Sequence, residues 1–158
     1  MRKPVNHRRR QRGVYAIEFA FVFVIVFTLL YAVICYGFLL TARMGLQNAA
    51  EEGARAGLRY QVNLAAKKTE AGNVATQRAS WLPDAMKKNL SVQATVCMAG
   101  EDDCSKSPTC GQEWSRRCQM VVTVTVSDVG KLLPPLPGFA LPDQISGKAN
   151  MLLDGRSL

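Results

Sequence analysis

The sequence predicts an α+β protein. A long apolar N-terminal helix crosses a membrane and continues beyond it, followed by a second amphipathic helix and a small antiparallel sheet of about three strands. Three observations carry this expectation. Residues Phe19 to Leu40 contain no charged side chain. Small and apolar residues recur three or four apart between Thr41 and Tyr60, and again after Ala71, which is the period of a helix face. Three later segments alternate apolar with polar residues, one of them rich in β-branched side chains, as half-buried strands do.

The first element is a leader, residues 1–13, carrying Arg2, Lys3, Arg8, Arg9, Arg10 and Arg12 with no acid among them. The whole chain has a net charge of +8, yet beyond the leader fourteen basic residues face twelve acidic ones. Such a tail suits nucleic acid, but here it adjoins an apolar span, where Lys and Arg anchor the cytoplasmic side. The span Phe19–Leu40 would be about 33 Å long as a helix, against a hydrocarbon core of about 30 Å. Arg43 stands alone after it. This asymmetry places the N-terminus inside and everything after about residue 43 outside. The span is too long for the apolar region of an ordinary secretory signal, and no small-x-small cleavage site follows. A lipoprotein reading of Cys35 fails because Ile34 precedes it.

The predicted transmembrane helix, residues 14–40, continues as an extension over 41–62. Ala42, Leu46, Ala49, Gly53 and Gly57 form a smooth stripe along it. Glycine costs about 1 kcal/mol relative to alanine inside a helix, tolerable where two backbones approach closely. The alternative is that the glycines end the helix near residue 57. Glu51 and Arg55 stand in the favourable i, i+4 order.

The remaining residues, 63–158, form the predicted α+β head. Its helix is expected over Ala71 to about Asn89, with Val74, Ala75, Ala79 and Leu82 on one face and a break at Pro83. Trp81 is expected as a core anchor. Strands are expected at Ser91–Cys97, Gln119–Ser127 and Gln144–Leu153. A proline-rich crossover, with Pro134, Pro135, Pro137 and Pro142, separates the last two strands.

Cys97, Cys104, Cys110 and Cys118 occupy the loop 97–118 of the exterior part. Their number and placement predict two disulfides in an oxidising compartment. The spacings are too wide for the paired cysteines of a structural zinc site. If the flanking strands pair antiparallel, Cys97 and Cys118 mark the two ends of the loop. That favours a nested pattern, Cys97–Cys118 with Cys104–Cys110, among the three that four cysteines allow. Cys35 reads as a packed thiol.

No catalytic constellation emerges, so no enzyme, cofactor or metal is expected. The single histidine, His7, lies in the leader, and no Ser-His or Cys-His relay can be built beyond it. Glu101, Asp102 and Asp103 read as a solvated loop tip rather than a cation site. Asn89-Leu90-Ser91 fits a glycosylation pattern that one match by chance would explain. Trp114 with Arg116 and Arg117 offers either a contact for a partner or a loop packing residue.

One residue resists a bland account. Glu18 opens the apolar span, and an acid deep in such a span costs roughly 2.5–3.5 kcal/mol, less near the interface. It stands five residues after Gly13 in Arg12-Gly13-Val14-Tyr15-Ala16-Ile17-Glu18-Phe19. This junction resembles the class III prepilin signal. The wider sequence resembles the TadE-like pseudopilins of tight-adherence (Flp-type) pili, through a second block, Leu46 to Gly57, and through the Pro-Pro-Leu-Pro-Gly turn at 134–138. The resemblance covers residues 8–60 well.

That resemblance implies a pilin-like fold and cleavage after Gly13 by a membrane aspartic prepilin peptidase, exposing Val14 as a new amine. It further implies that Glu18, beside Phe19, neutralises the amine of a neighbouring subunit. A charge pair at about 4 Å gains about 4 kcal/mol at an effective permittivity near 20, before desolvation. Two other roles compete for Glu18: favouring the helix N-terminus through the macrodipole, or pairing with its own Val14 amine. The implied partners are the membrane, the prepilin peptidase, other pilin and pseudopilin subunits and the assembly platform. The implied location is the bacterial inner membrane, N-terminus cytoplasmic and head periplasmic, with possible incorporation into the pilus. Two other classes remain: an uncleaved membrane-anchored binding or scaffold protein, and a nucleic-acid binder, which rests on leader charge alone and is not expected.

Overall fold

The computed structural model describes residues 12–59, 61–101, 104, 108–132 and 141–154. Helix α1 spans Arg12–Ala56 and α2 spans Leu64–Arg78, followed by a 3₁₀ turn, Ala79–Trp81, and the one-turn helix α3, Asp84–Lys87. Strand β1 is Leu90–Met98, β2 is Cys118–Ser127 and β3 is Gln144–Leu152, with a one-turn helix α4, Val129–Leu132, between the last two. The chain divides into two compact units, one ending at Phe38 and one starting at Leu39. The α+β expectation holds, with three strands in one antiparallel sheet of order β1-β2-β3. The expected leader falls almost wholly on residues 1–11, and the Pro-Pro-Leu-Pro-Gly turn on 134–138; both lie outside the described residues.

In the first unit, α1 presents bulky apolar side chains all round. Phe19, Phe21, Leu29 and Val33 are each more than 60% exposed. The Thr28 hydroxyl, in the middle of its apolar run, donates to the Val24 carbonyl at 2.7 Å, the local bond that hides a polar group within a helix.

In the second unit, the small-residue stripe is the packing face. Ala42, Leu46 and Ala49 are buried, together with Gly53 and Gly57. They meet the sheet face formed by Met120, Val122, Val124 and Val126, all fully buried. A side chain at Gly53 would collide with the Ala71 carbonyl and the Ala75 methyl of α2, 2.8 Å away, and press on Val122. One at Gly147 of β3 would overlap the backbone of Leu46 and Gln47. The close backbone approach that the stripe predicted is therefore made within the chain, to its own sheet and second helix.

Several expectations are corrected. Of the two readings for the extension, the shorter holds: α1 ends at Ala56, and bonds from Leu58 to Arg55 and from Arg59 to Ala56 tighten its last turn. Glu51 does not pair with Arg55. Arg55 pairs instead with Glu52 at 3.1 Å, and Glu51 accepts from the Gln47 amide at 3.2 Å. The second helix starts seven residues earlier than expected, at Leu64, because Asn63 caps it by accepting the Ala66 N–H at 2.8 Å. It ends at Arg78, before the expected Asn89, and its buried face is Lys67, Ala71 and Ala75, with Val74 at the margin. Trp81 is not a core anchor. It is 45% exposed and lies over Gly45 of α1, which has no side chain to keep the indole off.

The nested disulfide pattern is also corrected: Cys97 bonds Cys104 and Cys110 bonds Cys118, with Cα separations of 4.9 and 5.5 Å. Register explains why. Cys97 stands opposite Gln119 and Met98 opposite Cys118. The two cysteines are one position out of step, and alternate residues of a strand point to opposite faces. Each strand end therefore closes its own short loop. The first loop contains a turn in which the Glu101 N–H donates to the Met98 carbonyl, with Gly100 at a φ of 91° that glycine adopts without strain.

Candidate processing and assembly site

The sequence directs attention to Gly13, Val14, Glu18 and Phe19, all on α1. The helix begins at Arg12, so the Gly13–Val14 peptide lies in its first turn. The first four N–H groups of a helix have no intrahelical acceptor. A protease opening the chain there breaks few hydrogen bonds, whereas a cut one turn later would have to unwind a complete ladder.

Glu18 lies four residues after Val14, hence on the same face and about 6 Å further along the axis. Its side chain is exposed, between the exposed Ile17 and Phe19. No described residue forms an ion pair or hydrogen bond with its carboxylate. The macrodipole role fits poorly in the uncut chain, because the first turn of α1 contains no acid and the effect fades beyond that turn. What the geometry offers is an accessible carboxylate at the head of an apolar surface, one turn from a peptide bond whose hydrolysis would create an amine.

Phe19 is the first rung of a ladder that sequence reasoning overlooked. Its ring stacks on Phe23 at 6.0 Å, and Phe23 on Phe27 at 5.8 Å. The i, i+4 spacing was the available signal. The ladder leaves a continuous aromatic stripe on one side of the helix. Residues Tyr15–Ala56 form a helix long and apolar enough to cross a membrane, with a mean hydropathy of 2.6 in its most apolar window.

The family model described as TadE-like protein matches residues 13–55. That segment is similar to TadE-like proteins. The match opens on Gly13 and closes one residue before α1 ends. No curated protein and no solved structure matches the chain. The TadE-like segment thus contains the junction, Glu18, the phenylalanine ladder and the small-residue stripe, while α2 and the sheet lie outside it.

The disulfide loop in the head forms a separate cluster. Trp114 is 81% exposed, so it is not a loop packing residue. The Arg117 guanidinium lies over its ring, 4.2 Å from the centroid, a cation–π contact. Arg116 pairs with Glu113 at 3.7 Å. The Cys110–Cys118 bond and a hydrogen bond from the Gly111 N–H to the Arg116 carbonyl, at 3.0 Å, hold this small loop.

Proposed function

We propose that this protein is a minor pseudopilin subunit of a tight-adherence, type IV-like pilus or a related secretion system. The observation that carries the reading is the TadE-like match that opens on Gly13, with a carboxylate five residues on at the head of an uncharged span. In this reading the chain is inserted once in the bacterial inner membrane, leader inside and head in the periplasm. A prepilin peptidase cuts after Gly13. The new Val14 amine then needs an anionic partner in a medium of low permittivity, and Glu18 of a neighbouring subunit supplies it. Each protomer thereby receives one carboxylate and gives one amine, which sets the axial register between neighbours. The protein has no catalytic role of its own and helps a filament start or adapt rather than forming its bulk.

The test is the intact mass of the protein recovered from membranes, with and without the cognate peptidase. Loss of residues 1–13 supports the reading. Gly13→Ala should preserve the full-length mass. Glu18→Ala should be cut normally yet enter sheared filaments poorly, and normal entry would remove the pairing role.

A second reading has one observation in its favour, the exposed Trp114 beside Arg117. It makes the chain an uncut anchored binding module. An intact N-terminus in cells containing active peptidase would select it.

A further inference from the structure

Two clefts meet between α1 and the end of α2, both within the second compact unit. One, of about 420 Å³, is lined by Arg59, Gln77 and Ser80, with Val74. The other, of about 320 Å³, is lined by Asn48, Ala49 and Trp81, with Gly45. Glu52 and Arg78 line both, so the two form one groove. Each part falls in the size range of small-ligand sites, about 300–1,000 Å³. Local sequence sets its walls. Asn48 and Glu52 stand four apart on one face of α1. Opposite them, Gln77 and Arg78 end α2, and Ser80 and Trp81 follow in the 3₁₀ turn. Ala79 and Leu82, on either side of that pair, are buried, and the Leu82 N–H donates to the Ala79 carbonyl at 3.1 Å. The turn is therefore anchored while Trp81 itself stays half open to solvent. Gly45 completes the seat, because a side chain there would overlap the six-membered ring of the indole. A fixed, half-open indole is a stacking platform that loses little freedom when a ligand lands on it.

The chemistry of the lining selects a ligand class. Arg59 and Arg78 bring two positive charges against the single carboxylate of Glu52. That carboxylate is held by Arg55 at 3.1 Å and meets Arg78 only at 3.8 Å, and the Arg78 side chain is 63% exposed. The groove thus keeps an excess of guanidinium, whose fork binds a carboxylate through paired hydrogen bonds. Asn48, Gln77 and Ser80 are exposed, and each both donates and accepts, as sugar hydroxyls do. A peptide finds less here. Both walls are helical, so they offer no strand edge to an extended backbone. Ala49 and Val74 give little purchase to an apolar helix face, and one indole does not make the aromatic groove that a polyproline segment needs.

We propose that this groove binds an acidic oligosaccharide, one whose sugars carry carboxylate groups. A carboxylate sits on Arg59 and Arg78, hydroxyls bond Asn48, Gln77 and Ser80, and the apolar face of one ring stacks on Trp81. The inference depends neither on cleavage at Gly13 nor on assembly into a filament.

The experiment uses the full chain in detergent. The chain has two tryptophans, so Trp114→Phe leaves Trp81 as the only indole and its emission as the report of position. Three probes are titrated, by emission and by calorimetry: a tetramer of galacturonic acid, the neutral galactose tetramer and a hexaglutamate peptide. The acidic tetramer should bind about tenfold more tightly than either of the others and shift the Trp81 emission. Arg59→Gln combined with Arg78→Gln should weaken it about tenfold, to the level of the neutral tetramer, with the neutral tetramer itself little affected. Trp81→Ala, followed by calorimetry, should weaken both sugars about tenfold. The thermal midpoint of the head reports that each variant is folded, and the arginine pair, on the exposed surface, tests the proposal independently of the indole. No binding of the acidic tetramer, tighter binding of hexaglutamate, or full affinity in either folded variant would each overturn the proposal.

Discussion

The two halves of α1 belong to one helix yet obey opposite rules. From Phe19 to Leu30 the residues are mostly large and their side chains all stand exposed. From Leu39 to Ala56 it is the buried face that is mostly small: Ala42, Ala49, Ala50 and Ala54, with Leu46, are almost wholly buried. Side-chain size is the variable that changed. Large apolar groups maximise contact with a solvent that conforms to them, as lipid does. Small groups let a backbone come within contact of another backbone, which a folded head demands. The glycines express the same contrast: a side chain at Gly37 would meet nothing within 4 Å, whereas one at Gly53 would strike both α2 and β2.

That contrast can be broken by exchanging sizes. Gly53→Leu should destabilise the head by about 3 kcal/mol through overpacking, read as a lowered thermal midpoint of the full chain in detergent. Gly37→Leu should change it by less than about 0.5 kcal/mol. Equal effects at the two sites would mean that the two halves do not differ in packing. Next in size is the double variant Cys110→Ser with Cys118→Ser. Opening a loop of this length should cost about 2.5 kcal/mol in the chain-entropy account, with the loss confined to the head and membrane insertion unchanged. Insertion can be checked by alkaline extraction of membranes. Asn63→Ala removes the cap of α2 and should cost about 1 kcal/mol, with Asn63→Asp close to wild type. The smallest effect is expected at Glu52, which is bridged to Arg55 and, at 3.8 Å, to Arg78. Glu52→Gln should cost about 0.5 kcal/mol or less, because exposed ion pairs are weak and screened by salt.

Local periodicity made much of the fold legible. The expected ends of the three strands lie within one residue of the observed ones, because alternation and β-branching are properties of neighbouring residues. The span was equally plain, since length and absence of charge are read directly. The start of α2 was missed for a physical reason: Asn63 was a fair cap signal, but Lys67, Lys68 and Glu70 hid the apolar period behind it. Burial of Lys67 could not be read from its neighbours at all. The candidate site was legible as a pattern, Gly13 with Glu18 five residues on. The phenylalanine ladder beside it was equally readable and was overlooked.

What the chain order determined by itself was therefore the class of each segment: greasy helix, smooth helix, alternating strand, cysteine loop. Those follow from interactions that reach a few residues along the chain. Which surfaces meet was left to the tertiary structure. Whether Cys97 joins Cys118 or Cys104 turns on a one-residue offset between β1 and β2. Whether the backbone of Lys148 in β3 is bonded by a helix turns on Gln47, about a hundred residues away. Register and long-range contact depend on how whole elements fit against one another, and no short window of sequence contains that information.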